Sequence, residues 1–241
     1  MVHFFSYVDQ SDPFIRNIHE NEIWKYQFQV TRSYVPNKCL WALLIIVPSI
    51  LFIHDFCQNK NKKDVGYGCL ALSLSYCLTA LITAYLKVLT GRPRPDFYFR
   101  CFPQGSGNDY TLCTGKREIY MDGRKSFPSG HSSLAFACMF FVSLYLRKKF
   151  GLFEDNRRGE SWQLCLCLVP ILSAAAIAIG RTCDYHHHYE GTYFLILTTN
   201  YLNHPVFLDV VAGSLMGSVI SYMCYKLYFP KTTSTFVQEI N

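Results

Sequence analysis

Apolar residues gather along this chain into five long runs, roughly 39–56, 66–86, 130–147, 162–180 and 206–228. Each approaches the ~20 residues that carry a helix across the hydrocarbon of a bilayer. The competing reading, buried helices of a soluble protein, needs five such runs inside 241 residues and carries less weight. Sheets are disfavoured because open strand edges have no place in lipid. The pattern therefore predicts an all-α, polytopic membrane helix bundle with about five transmembrane helices. Residues 1–38 are polar and aromatic, with Trp24, Tyr26, Phe28 and Tyr34, and read as an interfacial segment. Within it, Ser11-Asp12-Pro13 reads as the start of a short helix. Residues 39–228 form the membrane domain and 229–241 a tail.

The connections assign the sides. Lys60, Lys62 and Lys63 lie between the first two runs, and Arg147, Lys148, Lys149, Arg157 and Arg158 lie between the third and fourth. Lys226 and Lys231 follow the fifth. Alternation puts all of these on one face, which the positive-inside rule makes cytosolic. The connections 87–129 and 181–205 fall on the other face. The first of them also carries Arg100, Lys116, Arg117, Arg124 and Lys125, so the contrast is moderate.

Composition agrees, with 50% hydrophobic and 17% charged residues. The net charge of +6 sits at the ends of apolar runs, which fits membrane anchoring rather than a nucleic-acid surface. Eleven cysteines match no zinc spacing. Cys101 and Cys113 share one polar loop, and an extracytosolic loop permits a disulfide between them. The first twelve residues lack the basic start and apolar core of a cleavable signal. The expected location is an integral, multi-pass position in the endoplasmic reticulum or plasma membrane.

Candidate chemistry falls on the non-cytosolic face. Lys87 and Arg94 stand seven apart, with Gly91, Pro93 and Pro95 ending the second helix and fixing its exit. Either cation alone reads better as a snorkelling interfacial side chain; together with the motifs that follow, the pair does not. Pro128-Ser129-Gly130-His131 opens the third run: Ser129 suits an N-cap, and Gly130 lets an anion approach the unpaired N–H groups of the helix start. A capped helix with a polar histidine is the plainer alternative. Arg181 leaves the fourth run, followed by His186, His187 and His188. Adjacent histidines point in different directions and do not converge as an i, i+4 metal pair does, so no metal or other cofactor is expected. Two imidazoles and three cations suit metal-free phosphoryl transfer: one histidine attacks, one protonates the leaving oxygen, and the cations neutralise the phosphoryl oxygens.

Lys87-x6-Arg94-Pro95, Pro128-Ser129-Gly130-His131 and Arg181-x5-His187 resemble the three motifs of the type 2 phosphatidic acid phosphatase family of lipid phosphate phosphatases. Glu22-Ile23-Trp24-Lys25-Tyr26, Tyr34-Val35-Pro36 and Arg181-Thr182-Cys183-Asp184-Tyr185 are similar to the branch containing phosphatidate and diacylglycerol-pyrophosphate phosphatases. The resemblance implies that His187 attacks phosphorus to give a phosphohistidine and that His131 protonates the leaving alkoxide. It implies that Lys87, Arg94, Arg181, Ser129 and Gly130 hold the phosphoryl oxygens without a metal ion. It also implies an aspartate four residues after the nucleophile, orienting its ring as the acid of a Ser-His-Asp triad does. The expected substrate is a phospholipid in the bilayer, and no nucleic acid.

The chain departs from this family pattern in three places. Gly180 stands where the family has a serine, removing a phosphate donor worth about 1–2 kcal/mol. The family core has six helices, and the first is missing from the five counted here. Most consequentially, Gly191 stands four residues after His187, and the motif resumes only at Asp209. Removing residues 191–208 restores His187-x3-Asp. These 18 codons can hold a GT donor in the Gly191 codon, an AG acceptor at the Leu208-Asp209 junction and a branch-point-like Leu202-Asn203, so the segment reads as a translated intron. A genuine loop insertion is the alternative, since loops tolerate length. Either way Asp209 is not held one turn from His187, and turnover is expected to fall. The rival readings are a catalytically silent membrane isoform that binds phospholipid or pairs with an active full-length form, and a phosphatase for soluble esters.

Overall fold

The computed structural model describes residues 7–8, 10–29, 33–59, 62–107, 109–153, 159–183 and 208–230. Its helices are α1 (Asn37–Asn59), α2 (Lys62–Thr90), α3 (Phe97–Cys101), α4 (Arg117–Asp122), α5 (Gly130–Phe150), α6 (Ser161–Cys183) and α7 (Leu208–Tyr228), with a 3-10 turn at Glu20–Tyr26. The five apolar runs become the five long helices, with ends displaced by at most four residues. There is no strand among the described residues.

Four of the long helices, α1, α2, α6 and α7, are apolar and long enough to cross a membrane. The remaining one, α5, is the axis of the bundle, and all four others pack on it. Its buried surface mixes small residues, Ser132, Ser133, Ala135, Ala137 and Cys138, with larger ones, Met139, Phe141, Val142, Leu144 and Tyr145. A helix enclosed by neighbours gains from small side chains that admit close backbones, which dilutes its hydropathy. The outer helices show the complementary pattern, exposing Ile45, Ile50, Leu70, Leu168, Leu172 and Met223.

The α5 ends are set locally. Ser129 caps the start and accepts from the Ser132 N–H. Gly151 takes the left-handed conformation (φ 61°) at the other end. Its N–H bonds the Lys148 carbonyl and that of Leu152 bonds Arg147, which closes the helix as a Schellman motif. At that end Asp55 of α1 accepts from Tyr145 of α5 at 2.6 Å and pairs with Lys149 at 2.8 Å, while Lys148 reaches Asp64 of α2 at 3.1 Å.

The α5–α7 contact is the closest in the bundle to require glycine. A Cβ on Gly217 would lie 2.1 Å from the Ser133 carbonyl oxygen, and one on Gly213 2.7 Å from that of Ser129. Glycines four apart thus form the face that lets α7 lie against α5. Gly217→Leu is expected to force the helices apart and to cost about 3 kcal/mol. A detergent thermal-melt comparison checks it, and an unchanged midpoint would contradict the close-packing assignment.

Residues 91–129 fold over the opposite end of the bundle. Tyr26, Phe97, Cys101 and Phe102 form a small buried cluster there with Tyr98 and Tyr110 against it, and Cys101 is disulfide-bonded to Cys113. The N-terminal segment is strapped across the same end. Its Phe14 N–H donates to the Val88 carbonyl at 2.9 Å and its Phe28 N–H to that of Pro95 at 3.1 Å. Gly91 (φ 54°) is obligatory beneath this strap, since a Cβ there would sit 1.7 Å from the Phe14 carbonyl oxygen. No helix starts at Ser11-Asp12-Pro13. The Ser11 N–H and hydroxyl close a turn back onto Val8 and Tyr7, and Phe14 gives its N–H to α2 instead.

Candidate active site

The described motif residues all lie at one end of the bundle, because α2 and α6 run toward it and α5 and α7 run away from it. Lys87 and Arg181 are in the last turns of α2 and α6, Gly130 and His131 in the first turn of α5, and Asp209 in the first turn of α7. Arg94 follows α2 through the Gly91-Arg92-Pro93 turn.

Backbone pairing ties the exit of α2 to the entrance of α5. The Arg94 N–H donates to the Gly123 carbonyl at 2.7 Å, and the Ser126 N–H to the Arg92 carbonyl at 3.0 Å. The Thr90 hydroxyl donates to the Phe127 carbonyl at 3.1 Å. The first two motifs are thereby one rigid unit. Within it Lys87 reaches the start of α5: a Cβ on Gly130 would lie 3.4 Å from Lys87 Nζ. An ammonium beside the N–H groups of a capped helix start is an anion site in both charge and shape. His131 is partly buried in the same turn.

Asp209 is the most constrained group of the site. It is fully buried. Arg92 Nη1 lies 2.5 Å from Oδ1, the Ser126 hydroxyl donates to Oδ2 at 2.6 Å, and the Asp209 carbonyl accepts the Ser129 N–H at 2.9 Å. The start of α7 is thus pinned to both of the preceding motifs, and the carboxylate is aligned from two sides. The Tyr26 phenol is pushed up by burial and by Glu22; Arg92 works against the rise and Asp209 adds to it.

Arg94 donates through Nη2 to Asp122 at 3.0 Å. Arg100 donates to the other Asp122 oxygen at 3.1 Å and to the buried Asp96 at 2.7 Å. Burial works against the Asp122 charge, but Arg94, Arg100, Lys87 and Lys125 outweigh it and hold its carboxyl below the usual range. A depressed pKa means that these pairs are complete above the unfolded value near ~3.9 and are lost only as pH falls through the folded one. Asp122 is therefore a carboxylate at every physiological pH. Arg181 is buried at the end of α6, where it donates to the Ser33 hydroxyl.

The structure thus gathers Lys87, Ser129, Gly130 and Asp209 at the start of α5, and links Arg94 to the same region through Asp122. Arg181 lies at the same end and is held by the N-terminal segment. His187, with His186, His188, Asp184 and Glu190, lies outside the described residues. Arg92, Ser126 and Asp122 are the site groups that motif reading passes over. A charged residue locked in a Gly-Arg-Pro turn at the end of a span was the available signal for Arg92.

A family model described as the PAP2 superfamily matches residues 68–233. The chain is 32% identical over 225 residues to lipid phosphate phosphatase 2 of Arabidopsis thaliana, covering 91% of this chain and 70% of that protein. It is 33% identical over 222 residues to lipid phosphate phosphatase 1 of the same plant, covering 90% and 62%. Against diacylglycerol pyrophosphate phosphatase 1 of Saccharomyces cerevisiae it is 30% identical over 229 residues, covering 90% and 72%. The chain therefore spans about two thirds of the length of these relatives. No solved structure matches it. With a helical membrane bundle, the described motif residues at one end of it and these relatives, the chain is an integral multi-pass membrane protein and belongs to the PAP2 superfamily.

Proposed function

We propose that this chain removes phosphate from a lipid phosphate, phosphatidate or diacylglycerol pyrophosphate, through a phosphohistidine on His187 and without a metal ion, and that residues 191–208 lower its turnover. The observation that carries the reading is the meeting of Lys87, the capped start of α5 and the pinned Asp209 at one point.

The phosphoryl oxygens rest against Lys87, Arg94, Arg181, the Ser129 hydroxyl and the Gly130 N–H. His187 attacks phosphorus, the bond to the lipid oxygen breaks, and the His131 proton goes to that oxygen. His131 then takes a proton from water as the water attacks the phosphohistidine, which releases phosphate and regenerates both rings. Asp209 accepts from the far nitrogen of His187 and holds the attacking tautomer.

One fact favours a second reading, a silent isoform that binds phospholipid or pairs with an active full-length form. The residue four before Asp209 is Pro205, not a histidine. A carboxylate held in place while its histidine is 22 positions upstream leaves the phosphate cradle intact without the one-turn His–Asp spacing.

Chelator-resistant phosphate release from phosphatidate in mixed micelles tests the leading reading. Lys87→Ala is expected to lower it by about 10²-fold or more, because a donor to the transition-state charge is lost. Release that survives this change undiminished would remove Lys87 from the phosphate site. A soluble ester hydrolysed faster than phosphatidate would move the substrate class.

A further inference from the structure

Asp122 is a carboxylate that pairs directly with Arg94, a proposed phosphate cation, without being needed to orient a histidine. It ends α4, and its side chain is 51% exposed, whereas that of Arg94 behind it is 13% exposed. Its two oxygens are shared between Arg94 and Arg100. Arg100 is already balanced by the buried Asp96, so the Asp122 charge falls on Arg94. Lys87 and Lys125 act on the same carboxylate, and Asp96 and Asp209 act on Arg94 from behind. An anion bound by Lys87 and Arg94 must therefore lie close to a carboxylate that stays ionised.

A phosphomonoester changes from monoanion to dianion near pH ~6. The dianion brings a second negative charge against Asp122 and is repelled. The monoanion keeps one P–OH, which can donate to the carboxylate in a short charge-assisted bond. We propose that Asp122 selects the protonation state of the phosphoryl group, admitting the monoanion with its P–OH turned to the carboxylate and disfavouring the dianion. No bond is made or broken in this step. The proton stays on the substrate, ready to be shared as the site fills. The proposal deepens the phosphatase reading and rests on Arg94 being one of its phosphate cations.

The test uses the full chain in detergent, titrated calorimetrically with inorganic phosphate at about pH 5.5 and about pH 8.5, on either side of the second ionisation. A second arm uses micelles carrying a phosphonate analogue of phosphatidate, which separates a lipid headgroup from the free ion. Wild type, Asp122→Asn and Arg94→Ala are compared, with Asp122→Ser in reserve should the asparagine disturb α4.

Wild type is expected to bind more weakly at the higher pH. Asp122→Asn should bind there about tenfold more tightly than wild type, with a smaller ratio between the two pH values. The pattern in either arm supports the proposal. Equal pH ratios for wild type and the Asp122 variants in both arms would overturn it while leaving the phosphate site in place. Binding that Arg94→Ala does not weaken, or no binding by wild type at all, would overturn it by removing the phosphate-site reading beneath it.

Discussion

In the chain lacking residues 191–208, Arg92→Ala is expected to cost about 10²–10⁴-fold in phosphate release, although Arg92 is none of the three cations assigned to the phosphate. Its partner Asp209 is fully buried, and its carboxylate is held by Arg92 on one oxygen and by the Ser126 hydroxyl on the other. Removing one member of a buried pair leaves an uncompensated charge, a loss of about 3–5 kcal/mol. The carboxylate then either takes up a proton or turns toward water, and in both cases stops orienting a histidine. Asp209→Asn should fall into the same range, because it keeps the shape and removes the charge that stabilises the developing imidazolium. The two losses should not add, since both act through one group. Measuring kcat for Arg92→Ala, Asp209→Asn and the double variant checks this. Additive losses would mean that Arg92 acts elsewhere, for instance directly on phosphate.

Deleting residues 191–208 is expected to raise turnover by about 10²-fold or more over the full chain. Arg181 and Asp209 are 28 positions apart in the full chain and would be 10 apart after deletion. Loop-closure entropy is not the reason for the gain, because that difference in length costs only about 1 kcal/mol. The reason is register. Deletion puts His187 four residues before Asp209, where the full chain has Pro205. A histidine at that spacing shares a helical face with the carboxylate, and proline at that point cannot accept the role. The start of α7 is already fixed by Arg92, Ser126 and the Ser129 N–H, so the shortened chain meets a ready-made partner. Equal kcat in the two chains would mean that 191–208 is a tolerated loop which returns His187 unaided.

The bundle was legible because a membrane span needs about 20 apolar residues, and the runs ending at Phe56, Leu86, Arg147, Gly180 and Tyr228 supply that signal directly. The special status of α5 was not legible in the same way. Its serines and its charged last turn lower its hydropathy, and a window of composition does not show that its serines face other helices and not lipid. Alternation of sides brought Lys87, Arg94, His131, Arg181 and Asp209 to one end without any geometry. What sequence spacing missed were groups that act across elements. Arg92 lies 117 residues from Asp209 and Ser126 lies 83 residues from it, so neither pair leaves a periodic trace. Asp122 was passed over for a similar reason: its partners Arg94 and Arg100 come from a loop and a short helix whose folding over the bundle end depends on the Tyr26 and Phe97 cluster.

The most direct test of the proposed metal-free phosphohistidine route, and of its dependence on the His187–Asp209 spacing, is trapping of the phosphoenzyme. Radiolabelled phosphatidate would be mixed with excess chelator and with the full chain, the chain lacking 191–208, and the His187→Ala form of each, then quenched in base, which phosphohistidine survives. The account predicts label on the shortened chain, little on the full chain, and none on either His187→Ala form. Label that persists after His187→Ala, or that appears in neither chain while phosphate is still released, would contradict it.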